Sequence, residues 1–169
     1  MVKPEEVKEK SLLLENENFK FRQFLRNRVD SNELDKNFKK LHNEIFANYD
    51  CCQCTNCCKV YGVIIGQEEL TKISKYLNMS ERDFFAAYLE LADYEDDSQF
   101  KIRESLCPFL QEDGRCQVNE CKPDVCKEYP FTDHPNRISS MYNVISMTAV
   151  CPVVLEILER LKTIFDFKR

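Results

Sequence analysis

The 169 residues carry a formal net charge of −5 and a pI near 5.2, which argues against the basic face that phosphate neutralisation demands of a nucleic-acid binder. Apolar residues make up 43% and charged residues 31% of the chain, enough for one modest core beneath a polar surface. No stretch reaches the roughly 18–20 consecutive apolar residues of a membrane helix, so neither nucleic acid nor membrane is an expected partner.

The chain starts with a charged segment, Met1 to Lys10, that no apolar run follows. That is unlike a secretory signal, and the expected setting is the reducing cytoplasm. Residues 1–49 read as a helical extension with balanced charge. Leu12, Leu13, Phe19, Phe21, Phe24 and Leu25 are too dense for one clean stripe. Leu34, Phe38, Leu41 and Ile45 recur at helical spacing behind Ser31, a good N-cap. These helices could pack on the core, cover a site, or dock a protein partner. His42 lies among them and is expected at the surface.

Five cysteines crowd into residues 51–58, after none in the first 50. The run Val60-Tyr61-Gly62-Val63-Ile64-Ile65 predicts a strand, and Gln67 to Leu77 a helix with Leu70, Ile73 and Leu77 inward. Ser80 is set to cap the next helix with Asp83 at the capping-box position, and Phe84, Phe85, Tyr88 and Leu89 form its apolar face. The acidic run Glu90 to Asp97 is expected as a solvated loop. Phe100 to Leu106 alternates like a half-buried strand, and Asp113-Gly114 signals a hairpin between Cys107–Leu110 and Cys116–Val118. Ile138 to Val150 predicts a returning strand. Cys151-Pro152 opens a last helix with Val153, Ile157, Leu161 and Ile164 on one side. The expected fold class is α+β: a small, loop-rich, cysteine-lined core with short strands, surrounded by helices. Residues 50–169 would form that domain.

Ten cysteines in a reducing setting point to metal rather than disulfides. Two cysteines separated by two residues can aim at one ion, because the intervening chain turns back. Zinc takes four thiolates at about 2.3 Å, and iron–sulfur clusters use the same donors. Cys51-x-x-Cys54-x-x-Cys57 chains two such steps and adds Cys58 directly. Neighbouring side chains diverge in extended or turn backbone, so Cys57 and Cys58 suggest two nearby sites or one polynuclear site. Cys107, Cys116, Cys126 and Cys151 bring the candidate ligands to eight, two sets of four. Cys151 has the further advantage of a helix N-terminus, which stabilises a thiolate.

Cys51-x-x-Cys54-x-x-Cys57-Cys58, Cys107-Pro108-Phe109-Leu110, Gly114-Arg115-Cys116, Pro123-x-x-Cys126 and Glu128-Tyr129-Pro130-Phe131 together resemble the YkgJ-type cysteine-cluster family. It is named for its CxxCxxCC motif and associated with chelation of zinc or iron. The resemblance runs from about residue 51 to 152 and implies the ligands Cys51, Cys54, Cys57, Cys58, Cys107, Cys116, Cys126 and Cys151. Cys52 and Cys121 match no family position and read as spare thiols. Lys122 stands near where the family often has arginine, which removes a planar fork.

His134, between Asp133 and Pro135, is a further candidate ligand or proton carrier. Lys59, Arg103, Arg115, Lys122 and Lys127 surround the cysteines in sequence and could offset thiolate charge or simply solvate the surface. Three functions compete: a protein organised by zinc or iron–sulfur, an iron–sulfur redox enzyme or electron carrier, and a disulfide-stapled interaction module. Whether the chain is an enzyme is left open at this level.

Overall fold

The computed structural model describes residues 1–92, 99–104 and 106–168. The acidic run from Asp93 onward and Ser105 lie outside the described residues. The chain divides into two compact units, residues 51–129 and residues 1–50 with 130–169. The last forty residues thus share a unit with the first fifty, whereas the sequence reading grouped them with the cysteines. Helices with a small antiparallel sheet make the fold α+β, as expected.

The first unit holds α1 (Val7–Arg28), α2 (Ser31–Phe46), α8 (Arg137–Met147) and α9 (Pro152–Ile164). In α1 the buried positions are Val7, Ser11, Leu14, Asn18, Phe21 and Leu25, alternating in steps of four and three. A single stripe therefore exists, and two polar residues had hidden it. Leu12 and Leu13 face solvent. Ser11 meets Thr148 through a 2.6 Å hydroxyl hydrogen bond, and Thr148 donates onward to the Ile145 carbonyl.

The α2 stripe of Leu34, Phe38, Leu41 and Ile45 is buried as read. Its cap is Asp30 rather than Ser31, because the carboxylate accepts the Asn32 and Glu33 amides at 2.9 and 3.0 Å. His42 is not a loose surface residue. Its Nδ1 lies 2.8 Å from the Thr132 hydroxyl, and burial holds its pKa down against the nearby Asp133 carboxylate.

The strand expected over Ile138 to Val150 is instead a helix. Arg137, Met141, Val144 and Ile145 are its buried positions, a helical spacing that the β-branched content had masked. Asp35 on α2 receives the Asn136 and Arg137 amides at 2.7 and 2.9 Å, capping α8 from another helix. In α9, Val153, Ile157 and Leu161 are buried as read, while Ile164 at the last turn is exposed. Lys162 is 3% exposed and held by Glu17 and Glu159.

The second unit runs from α3 (Cys51–Cys54) and α4 (Asn56–Val60) into β1 (Ile64–Gly66), α5 (Gln67–Tyr76), α6 (Glu81–Tyr88), β2 (Leu89–Leu91) and β3 (Gln99–Ile102). A 3₁₀ turn (Asn119–Cys121) and α7 (Asp124–Glu128) complete it. The sheet order is β1-β3-β2, antiparallel throughout, with Ile65 opposite Phe100 and Leu89 opposite Ile102. The strand expected from Val60 is shorter, since the Tyr61 amide still bonds the Cys57 carbonyl at 3.0 Å and keeps Val60 helical. Ser80 caps α6 and bonds Asp83 as read, while Leu89, read onto the helix face, opens β2. Ile65, Leu70, Ile73, Phe84, Leu89, Phe100, Ile102, Phe109 and Val118 form this unit's core.

Both amide atoms of Asn18, fully buried in α1, lack a hydrogen-bond partner among the described residues. Leaving such a group unsatisfied costs about 1–3 kcal/mol. Asn18→Leu, nearly isosteric and apolar, should therefore stabilise the chain by about 1–2 kcal/mol. Chemical denaturation of the two proteins checks this, and a lower midpoint for the variant contradicts it.

Candidate metal centre

The CxxCxxCC segment folds as two short helical turns broken at Thr55. This β-branched residue sits at φ 55°, in the left-handed region that such residues rarely enter. The break re-aims the chain, so that Cys51–Cys54 and Cys57–Cys58 belong to separate turns. Cys51 and Cys52 are exposed, whereas Cys54, Cys57 and Cys58 are half-buried. The expected divergence of Cys57 and Cys58 does not occur, because the backbone there is helical rather than extended. Their sulfurs lie 4.0 Å apart, close to the edge of about 3.8 Å that a tetrahedron of 2.3 Å metal–sulfur bonds would have.

The downstream cysteines come to this segment on a hairpin anchored in the core. Phe109 is buried and stacks parallel to Phe84 at 6.1 Å, with Tyr88 tilted against it at 5.3 Å. The Cys107 amide donates to the Cys58 carbonyl at 2.8 Å, tying the hairpin's first cysteine to α4. Leu110 and Cys116 form an antiparallel bridge, and the Gln111 amide bonds the Arg115 carbonyl at 2.8 Å. This is the hairpin that Asp113-Gly114 signalled. Gly114 turns at φ +83°, and any β-carbon there would collide with the Cys52 carbonyl. Only glycine lets the hairpin lie this close to the CxxC turn.

The thiols of this unit act on one another. Cys126 is pushed up to about 12, first by burial and then by Cys107, Cys58 and Cys116, against the pull of Lys122. Burial likewise raises Cys107 and Cys116, with Cys58 adding to both. The Phe109 and Leu110 amides point at the Cys107 sulfur and that of Val118 at Cys116, favouring the thiolates. Such N–H···S bonds also orient and stabilise metal-bound sulfur. Cys58 instead falls, to about 6, because the Cys57 thiol donates to it and Lys122 and Lys59 reinforce the effect against burial.

Of the cations named from sequence, Lys122, Lys59 and Lys127 bear on cysteines. Arg103 instead donates to the Ala86 and Leu89 carbonyls, and Arg115 pairs with Asp113 at 3.6 Å.

Cys58, Cys107, Cys116 and Cys126 are therefore mutual neighbours, and Cys57 touches Cys58. Among the described residues, no three or more His, Cys, Asp or Glu side chains already converge at ligating distance. Among the described residues, no cysteine is joined in a disulfide. The donor set fits a soft cation: half-buried sulfurs whose ionisation side by side is unfavourable until positive charge sits among them. Cys151 lies in the other unit, buried, as the N-cap of α9. His134 also lies there, packed edge-on to the Phe131 ring at 5.4 Å.

Two residues set aside on sequence do reach the cluster. Cys52 and Cys121 both interact with Cys116. The only sequence signal for them was the total of ten, two more than the pattern uses.

Two outcomes follow. In the reduced, metal-free chain, iodoacetamide should modify Cys58 with a midpoint near pH 6, because its thiolate persists down to about that pH. Cys57→Ala removes the donor and should move the midpoint up toward 9, the ordinary value; peptide mass spectrometry reads both, and identical profiles contradict the assignment. Gly114→Ala should cost about 1–3 kcal/mol and loosen the hairpin from the CxxC turn, so that its unfolding midpoint drops and Cys116 alkylates faster.

A family model with the description "CxxCxxCC: Putative zinc- or iron-chelating domain" matches residues 50–152, more than half of the chain. No curated protein matches the chain. No solved structure matches it either.

Proposed function

Because the chain belongs to the CxxCxxCC family, we propose that it binds zinc or an iron–sulfur cluster through about eight cysteine thiolates in two sets of four. The observation that carries this reading is the mutual approach of Cys58, Cys107, Cys116 and Cys126 from three separate stretches of chain: α4, the hairpin and α7. These four make up the first set. Cys51, Cys54 and Cys57 supply the second, which the 4.0 Å approach of Cys57 to Cys58 sets directly beside the first, and Cys151 enters this reading only through the sequence pattern. A metal bound here supplies positive charge that offsets the thiolates. The chain's own part is to present the sulfurs, aim amide N–H groups at Cys107 and Cys116, and set Lys122 beside them. Binding displaces protons from Cys107, Cys116 and Cys126, so affinity falls as pH falls.

Iron–sulfur chemistry, with electron transfer as its use, is favoured over zinc by one feature. That feature is the run of consecutive two-residue steps, Cys51-x-x-Cys54-x-x-Cys57, with Cys58 following directly. The visible spectrum distinguishes the two. Protein purified without oxygen should be brown, absorbing near about 400 nm, if iron–sulfur is present; colourless protein holding stoichiometric zinc supports the other metal.

Removing the metal with a chelator under reducing conditions should unfold residues 51–129, while the α1, α2, α8 and α9 unit keeps its helicity. Hydrogen exchange resolves the two units. Unchanged protection across residues 51–129 after complete metal removal, or protein that takes up neither metal, would falsify the reading.

A further inference from the structure

Gly114 sets the tip of the hairpin against the Cys52 carbonyl, and Cys116 follows two residues on. Leaving the hairpin, the chain turns twice in succession. The Asn119 amide donates to the Cys116 carbonyl at 3.2 Å, and the Cys121 amide donates to that of Val118 at 3.0 Å. These turns fold Cys121 back, so that it packs with Cys107 and Cys116 on the edge of one apolar core. Cys116 is thereby flanked by Cys52 from the CxxC turn and by Cys121 from the 3₁₀ turn, and both interact with it electrostatically.

Cys58, Cys107 and Cys126 interact with Cys116 as well. A sulfur bound to one tetrahedral ion shares that ion with three others. The first set already supplies those three, so Cys52 and Cys121 stand beyond what a single ion there uses. A thiolate has further lone pairs and can join two ions. Sharing also suits a half-buried centre, because fewer negative charges must leave water for each cation bound.

We propose that Cys52 and Cys121 are metal ligands of this centre, binding an ion that shares the Cys116 sulfur with the ion of the first set. The proposal rests on the metal-binding reading above and extends its ligands beyond the family motif, in which Cys52 occupies an open position between Cys51 and Cys54. Each of the two thiols gives its proton to solvent as its sulfur bonds the metal, and the metal keeps its oxidation state.

The test adds cobalt(II) chloride stepwise to the reduced, metal-free full-length chain without oxygen, and reads bound cobalt per chain and its electron spin resonance. Two cobalt ions joined by one sulfur couple their spins antiparallel. The wild-type signal should therefore rise with the first ions and fall as the shared sulfur takes its second. In the cobalt-loaded chain, Cys52 and Cys121 should be shielded from iodoacetamide as fully as Cys116, because the free thiolate is the nucleophile. The double variant Cys52→Ala, Cys121→Ala should bind one cobalt fewer per chain and lose the fall in signal. A folded double variant that binds the wild-type amount of cobalt overturns the proposal. So does a wild-type signal that climbs to saturation without falling, or alkylation of Cys52 and Cys121 at the metal-free rate while Cys116 is shielded. These last two readouts use the wild-type chain and decide the matter if circular dichroism shows the variant misfolded. Wild-type chain that takes up no cobalt, zinc or iron instead overturns the metal-binding reading itself.

Discussion

Several thiols held side by side, half out of water, are the constraint on which the cysteine-bearing unit depends. Cys107, Cys116 and Cys126 resist ionising because burial and their neighbours oppose a further negative charge, most of all at Cys126, whereas the Cys57 thiol eases ionisation of Cys58. A soft cation reverses that sign at every sulfur at once. The chain anticipates this with amides from Phe109, Leu110 and Val118 aimed at sulfur and with Lys122 among the cysteines. Clustered thiols of this kind gain from metal what an ordinary core gains from burial alone.

Apolar packing is nonetheless what brings the sulfurs together. Phe109 and Val118 sit in the core beneath the hairpin, and Cys107, Cys116 and Cys121 pack on that core's edge. The Cys107 amide fastens the hairpin to α4, and Gly114 allows it to lie against the Cys52 carbonyl. A left-handed Thr55 between the two cysteine turns adds backbone strain of the kind that concentrates at functional sites. The helical unit solves a different problem. Its α1 stripe carries Ser11 and Asn18 inward; among the described residues Ser11 finds a hydroxyl partner and the Asn18 amide finds none.

The local signals in the sequence were reliable where chemistry acts over three or four residues. The Ser80 cap, the Asp113-Gly114 hairpin, the α2 stripe and the Pro152 helix start could each be read directly, as could the family's cysteine pattern. They failed where composition and period disagreed. Ile138, Val144 and Ile145 suggested a strand, although the buried positions of α8 repeat at helical spacing. Two polar residues inside the α1 stripe broke the pattern that a reader of hydrophobicity follows.

Sequence alone determined which atoms could hold a metal, because thiols spaced by two residues are a property of the covalent chain. It also determined the α+β class, since helix caps and hairpin turns act locally. Tertiary structure decided which thiols become neighbours. Cys116 meets Cys52, Cys58, Cys107, Cys121 and Cys126 across separations from 5 to 64 positions. No spacing rule encodes such meetings, which depend on where Phe109 packs and how closely Gly114 lets two backbones approach. For the same reason Cys52 and Cys121 looked like spare thiols until folding set them against Cys116.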